Sequence, residues 1–281
     1  FDGHFNFRQK IGNVDVDIRG NMTYSKNEIL EKDEENNVYG YQMERGYRVN
    51  QCRGLIALGL FKDYDDIRNS PKQEFGAVQP GDIKYRDVNG DGVVNDGDIV
   101  AIGATSKPNL IYGLGVTAKW KGLDVNVHFQ GAGKSSFFTY GKCVYAFTEG
   151  EWGNVFKGML DDRWVDSETA EKLGIPANEN PNASYPRLSY QGDGASNNNY
   201  RNSTFWLRNG SYLRLKTVDV GYTLPKSWVN KLHFNNIRIF VVGTNLLTFS
   251  KFKTWDPEMG DARGESYPLS KSVTMGLSVN L

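Results

Sequence analysis

The chain has 281 residues, with 33 basic and 33 acidic side chains and no net charge. That balance excludes the basic face nucleic acid requires and the acidic tail that recruits a basic partner. Aromatic residues make up 13% and glycines number 31, but no window of about 18 apolar residues exists, so no transmembrane helix is expected. A membrane barrel stays open, because a half-polar strand never raises average hydropathy.

In chain order, the first element is an alternating stretch over 4–11, followed by a turn at Gly12 and a second strand over 13–25. In that second strand Val14, Val16 and Ile18 oppose Asp15, Asp17 and Arg19, so one face is apolar and the other wet. Residues 26–109 read as irregular, with a charged run at Glu31–Glu35. A hairpin follows over 110–120 and 123–131, joined by Lys121-Gly122. Tyr112, Leu114, Val116, Leu123, Val125, Val127 and Phe129 are expected to share its apolar face. Lys119, Asp124, Asn126 and His128 belong to its polar face. Residues 132–210 are again irregular, with a short helix expected near 155–164 and an Asn/Gly-rich segment at 192–202. Strands over 211–224, 236–249 and 271–281 close the chain.

The connections alternate in length. Gly12, Lys121-Gly122 and 225–235 fall on one end of the seven strands, and the long segments 26–109, 132–210 and 250–270 fall on the other. This pattern predicts an all-β fold, an antiparallel portion of a transmembrane barrel with short periplasmic turns and long extracellular loops. Strands of this length suit a tilted crossing of the bilayer. The alternative is a soluble sandwich, whose strands also alternate. A connection as long as 26–109 argues against a compact soluble domain. The chain starts at Phe1 without an initiator Met and is read as a piece of a longer protein.

Within the loop segment 81–103, the run from Asp87 to Asp98 matches a twelve-residue calcium loop. Asp87, Asn89, Asp91, Asn95 and Asp98 place oxygens at positions 1, 3, 5, 9 and 12, Gly92 occupies position 6, and Val93 offers its carbonyl at 7. A hard cation needs six or more oxygens, which this spacing supplies from one tight turn. The competing reading is a set of Asx turns without metal.

Enzyme signatures are weak. The GxGxxA run Gly113–Ala118 lies within a strand, and Gly131-Ala-Gly133-Lys134-Ser135 lacks the first glycine of a phosphate loop. The neighbours Asp161/Asp162 and Glu149/Glu151 read as solvated loop charges, and His4, His128 and His233 are scattered. No catalytic residue is expected. Cys52 and Cys143 have no metal spacing and leave a disulfide open. Trp152, Trp164, Trp206 and Trp255 lie in the long segments, where aromatics either stack on sugar rings or pack their own loops.

The motif Pro80–Gly92, the pairs Tyr112-Gly113 and Lys121-Gly122, and Phe129-Gln-Gly131 resemble the C-terminal barrel part of SusC/RagA-type TonB-dependent transporters. So do Tyr212–Pro225, Gly243–Ser250 and Asp256-Pro-Glu258, so the likeness runs over nearly the whole chain. The resemblance implies a large plugged barrel in the outer membrane of Bacteroidetes-type bacteria, importing glycans or peptides, with a SusD-like surface lipoprotein as its lid. It also implies contact with the TonB complex through an N-terminal part these residues do not include. The rival class is a secreted, calcium-stabilised β module that binds polysaccharide.

Overall fold

A computed structural model describes residues 1–35, 39–147, 155–189, 197–260 and 262–280. Seven long strands form one antiparallel sheet in chain order: β1 (Asp2–Ile11), β2 (Val14–Tyr24), β3 (Leu110–Trp120), β4 (Leu123–Gly133), β5 (Tyr212–Thr223), β6 (Asn236–Ser250) and β7 (Ser272–Asn280). The expected strands are all present, within a few residues at their ends.

The turn chemistry explains the register. Gly12 takes φ 61° at the first position of a two-residue turn, which fixes Ile11 opposite Val14. Lys121 and Gly122 both have positive φ (47° and 89°), as a type I′ turn requires, and Trp120 pairs with Leu123. The ladder is interrupted once, at Lys216. That residue is extra relative to β4, and β6 answers with Asn245 at φ 53°. This bulge re-aims the Lys216 side chain.

The two faces separate as the alternation dictates. Phe5, Phe7, Leu114, Val116, Val220, Ile239, Val241, Leu247, Met275 and Leu277 share one face and are all exposed, Met275 at 77%. Among the described residues no second sheet covers them, so the sandwich reading fails at this face. No described helix is long and apolar enough to cross a membrane, and crossing by strands needs none.

The long segments are not irregular. They carry the short pairs Gln51–Gly54 with Val100–Thr105, Ala57–Leu60 with Ile83–Tyr85, Lys72–Gln73 with Val93–Val94, and Ser136–Phe138 with Leu207–Asn209. Strands of two to six residues are too short to show an alternation, which is why they escape a sequence reading. Leu55, Leu60, Phe75, Ile83, Tyr85 and Val94 from the first segment share one core with Val144, Tyr145, Trp164 and Trp206 from the second. The two connections thus fold together as a cap over the long-loop end of the sheet. The short helix falls at Lys157–Asp161, and a further helix, Ser167–Leu173, was not anticipated.

Candidate functional site

Two surfaces are available for function, the polar face of the sheet and the cap above it. The polar face is a ladder of paired charges. Arg8 reaches Asp17 at 2.6 Å, and Arg19 donates to Asn126 at 3.1 Å. Arg238 is clasped between Asp124 at 2.5 Å and Asp219 at 2.8 Å. Gly113 and Gly115, the supposed dinucleotide glycines, leave room here for Asn21, Arg19 and His128. A Cβ at Gly115 would stand 2.7 Å from the Arg19 Nε. Lys119, Asp124, Asn126 and His128 therefore take the polar side, as their parity requires.

At the top of this wall Arg214 of β5 is 1% exposed. Its guanidinium meets Asp256 at 2.5 Å and Glu258 at 2.8 Å, and Lys216 adds a 3.2 Å contact to Glu258. The Asp256-Pro-Glu258 turn thus straps the third long segment onto the sheet. Phe252 extends the strap by packing edge-on against Phe137 at 5.1 Å and Trp255 at 4.8 Å.

The cap is organised by buried amides. Asn199 accepts from the Ile83 N–H at 2.8 Å, and Asn198 donates to the Ile83 carbonyl at 2.8 Å. Gln73 accepts from the Tyr85 N–H at 2.6 Å. These side chains substitute for a missing neighbour strand along Ile83–Tyr85, satisfying backbone groups that burial would otherwise leave costly. Asp82, 1% exposed, is held by Asn199 at 2.8 Å and by the Arg187 guanidinium at 2.7 Å. An Asn-rich stretch reads in sequence as a solvated loop, and only the fold reveals that Asn197, Asn198 and Asn199 are buried.

The Asp87–Asp98 loop closes on itself through its own backbone. Asp87 accepts from the Gly90 and Gly92 N–H groups at 2.7 and 2.9 Å. Asn89 accepts from Asp91 at 2.9 Å, Asp91 from Val93 at 2.8 Å, and Asn95 from Gly97 at 2.7 Å. Asp98, fully buried, accepts from Val88 at 2.7 Å and Asn95 at 2.9 Å. Gly90 and Gly92 hold φ 78° and 87°, the left-handed turns this folding-back needs. No group of three or more His, Cys, Asp or Glu side chains among the described residues is gathered for a metal.

The donor chemistry nevertheless suits a hard cation. Each carboxylate oxygen that accepts one N–H keeps a second lone pair. No ion pair among the described residues engages Asp87, Asp91 or Asp98. The Val93 carbonyl lies outside the parallel ladder, which uses those of Gly92 and Val94. The uncompensated charge is felt next door. Tyr41 donates its hydroxyl to the Gly97 carbonyl at 2.7 Å, and its phenol is pushed up by burial and then by Asp98, Tyr39, Asp91 and Asp87.

The remaining candidates resolve into structure. Trp164 and Trp206 are core residues (4% and 1% exposed), and Trp255 packs beside them, while Trp152 and the Glu149/Glu151 pair lie outside the described residues. Asp161 pairs with Lys157 at 2.6 Å, whereas Asp162 accepts from the Ser184 hydroxyl at 2.5 Å, which holds its carboxyl below the usual range. Lys134 sits over the Tyr24 ring rather than in a phosphate loop. Both cysteines are free, Cys52 being buried against the Ser136 carbonyl.

The chain is 30% identical over 246 residues to the TonB-dependent receptor P26 of Formosa agariphila, matching 83% of this chain and 23% of that protein. It is 23% identical over 272 residues to the TonB-dependent receptor SusC of Bacteroides thetaiotaomicron, matching 94% of this chain and 24% of SusC. The chain belongs to the SusC/RagA-type TonB-dependent receptors. No family model matches it. The fold agrees with this placement: the structure of the RagAB peptide transporter superposes with a TM-score of 0.71 over 100% of this chain and 29% of that one, at 20% identity. The chain thus spans about a quarter of the length of the curated relatives it matches. Receptors of this type are outer-membrane proteins, so the exposed apolar face of β1–β7 is the lipid face and the charged ladder lines the lumen. The relatives it matches are named receptors or transporters.

Proposed function

We propose that this chain forms its share of the wall and outer mouth of a nutrient-importing barrel. The cap built from the long segments is the ligand-facing vestibule and the docking surface for a SusD-like lipoprotein lid. One observation carries this reading: three long segments at one end of the sheet are knitted into a single packed cap above a polar lumen wall. A wide pore needs a selective mouth, and a preorganised cap supplies one without paying ordering entropy at each binding event. Seven strands leave two unpaired edges, which lipid does not tolerate, so the activity belongs to the complete closed barrel. Energy input from the TonB complex and a cargo of oligosaccharides or peptides complete the proposal. RagAB is a peptide transporter, which supports the peptide class, and the oligosaccharide class rests on the family resemblance. The protein is not an enzyme in this reading.

Calcium would be held by Asp87, Asn89, Asp91, Asn95, Asp98 and the Val93 carbonyl, and its role would be structural, neutralising charge inside the cap.

The test uses the complete transporter. Val165 and Asn178 exchange hydrogen bonds of 2.9 Å, so the excursion between them can be excised and closed by a short glycine link. Excising 140–200 would be uninformative, because it removes Tyr145 and Trp164 from the core. Removal of 167–177 should lower uptake or lid retention while the barrel still assembles. Unchanged uptake together with unchanged lid binding would overturn the vestibule.

A further inference from the structure

Among the three connections at the short-turn end, the one between β5 and β6 stands apart. The other two are tight two-residue turns, whereas this one runs from Pro225 to Asn235 and contains a short helix, Lys226–Val229. The helix packs against the start of β6 and buries Val229 to 1% exposure. Ile237, at the start of β6, shares the lipid-side parity of Ile239 and Val241, which are 46% and 38% exposed, yet is itself only 7% exposed. The connection folds back at this point through the Phe234 N–H to Val229 carbonyl bond, and its helix contacts β6, which makes it the element placed to cover Ile237. The helix therefore lies on the outward side of the sheet, not over the lumen.

There it presents Trp228, 62% exposed, and the same short-turn end of the sheet carries Trp120 and Tyr222, 49% and 40% exposed, both paired with Leu123. Lys226 and Lys231 are exposed and pair with no carboxylate among the described residues. An indole next to an apolar belt, flanked by ammonium groups, is suited to the boundary between acyl chains and lipid phosphates. We propose that residues 225–235 are an interfacial anchor seated in the phospholipid headgroup layer, with Trp228 at the acyl boundary and Lys226 and Lys231 supplying charge to the phosphates. The occupant is glycerophospholipid because the anchor is continuous with the lipid face and carries unpaired positive charge. The two tight turns have no counterpart, so this connection sets the height of the rim in the bilayer.

The proposal rests on the barrel reading, and the experiment separates the two. In the complete transporter reconstituted into vesicles, an environment-sensitive fluorophore is attached at Trp228→Cys and, with the indole kept, at Ser227→Cys. Val241→Cys on the lipid face and Asp65→Cys in the cap serve as references. Nitroxide lipids labelled near the headgroup should quench at 227 and 228 more than deep-labelled lipids do, with little loss to aqueous iodide. Val241→Cys should respond to the deep label, and its failure to do so would overturn the barrel reading itself. Quenching of 227 and 228 by iodide alone, or protection from both quenchers, would overturn the anchor. Replacing phosphatidylcholine with phosphatidylglycerol should blue-shift the emission at 228, an effect lost in K226E/K231E. No difference between the two lipids would overturn the part assigned to the lysines.

Discussion

At the scale of single residues, the cap depends on a few buried polar contacts. Arg187→Ala would leave the Asp82 carboxylate buried without its cation, at a cost of about 3–5 kcal/mol. The expected outcome is loss of protease resistance in the cap with the sheet intact, partly restored when Asp82→Asn removes the stranded charge. Tyr41 reports on the neighbouring loop. If calcium neutralises Asp87, Asp91 and Asp98, adding it should bring the phenol titration back toward its ordinary range, leaving the contributions from burial and Tyr39. Phenolate absorbance of the native protein minus that of Tyr41→Phe, with and without calcium, reads this directly. An identical titration in both conditions counts against the metal. Asp166 sets a pH dependence. It caps the helix Ser167–Leu173 by accepting from Thr169 at 2.7 Å, and that bond holds its carboxyl below the ordinary value. A depressed folded value means the stabilisation is present above about pH 4 and is lost as pH falls through the lower folded value. The protection factors of Ala170 and Gly174 against hydrogen exchange should therefore fall in acid, and Asp166→Asn should abolish that dependence while keeping a cap.

At the scale of elements, the strands interlock by setting aromatic rings over glycines. Phe5 faces Gly20, Tyr112 faces Gly131 and Phe240 faces Gly276, each as direct register partners. A Cβ at Gly131 would fall 2.3 Å from the Tyr112 ring, and at Gly276 2.3 Å from Phe240. Gly131→Val should thus destabilise the hairpin by about 1–3 kcal/mol, read as a lower temperature for loss of heat-resistant barrel migration, with partial recovery in Gly131→Val/Tyr112→Ala. The same alternation fixes the lipid face. Spin labels at Val116 and Val125 in the complete transporter should be reached by lipid-borne relaxation agents and shielded from aqueous ones. The reverse accessibility would place that face against protein.

At the scale of the whole molecule, two kinds of folding are joined in one chain. The sheet is stabilised by neighbours in sequence order and by lipid, and presents apolar surface that water would not tolerate. The cap behaves like a soluble domain, with a common core and buried amides, and the Arg214–Asp256–Glu258 cluster fastens it to the wall. Arg214→Ala should release the 250–270 strap, leaving Asp256 without its cation and Glu258 with Lys216 alone. Faster proteolysis within that segment, with barrel assembly unchanged, is the expected result.

The amino-acid sequence by itself determined the seven long strands, their faces and the end on which each connection lies. These follow from local rules: a two-residue alternation repeated over about ten positions, and turn residues such as Gly12 and Lys121-Gly122 that admit positive φ. It also showed the oxygen spacing of the Asp87–Asp98 loop, because that pattern is contiguous. The helix Ser167–Leu173 was legible in principle from its Asp166 cap and the left-handed Gly174 that ends it, though both were lost in polar text. The cap core was decided only by tertiary structure. Its strands are too short for periodicity, and the partners of Ile83 and Tyr85 are Asn198, Asn199 and Gln73, whose composition signals solvent. Burial made those amides structural by removing the water that would otherwise have bonded both them and the backbone they serve.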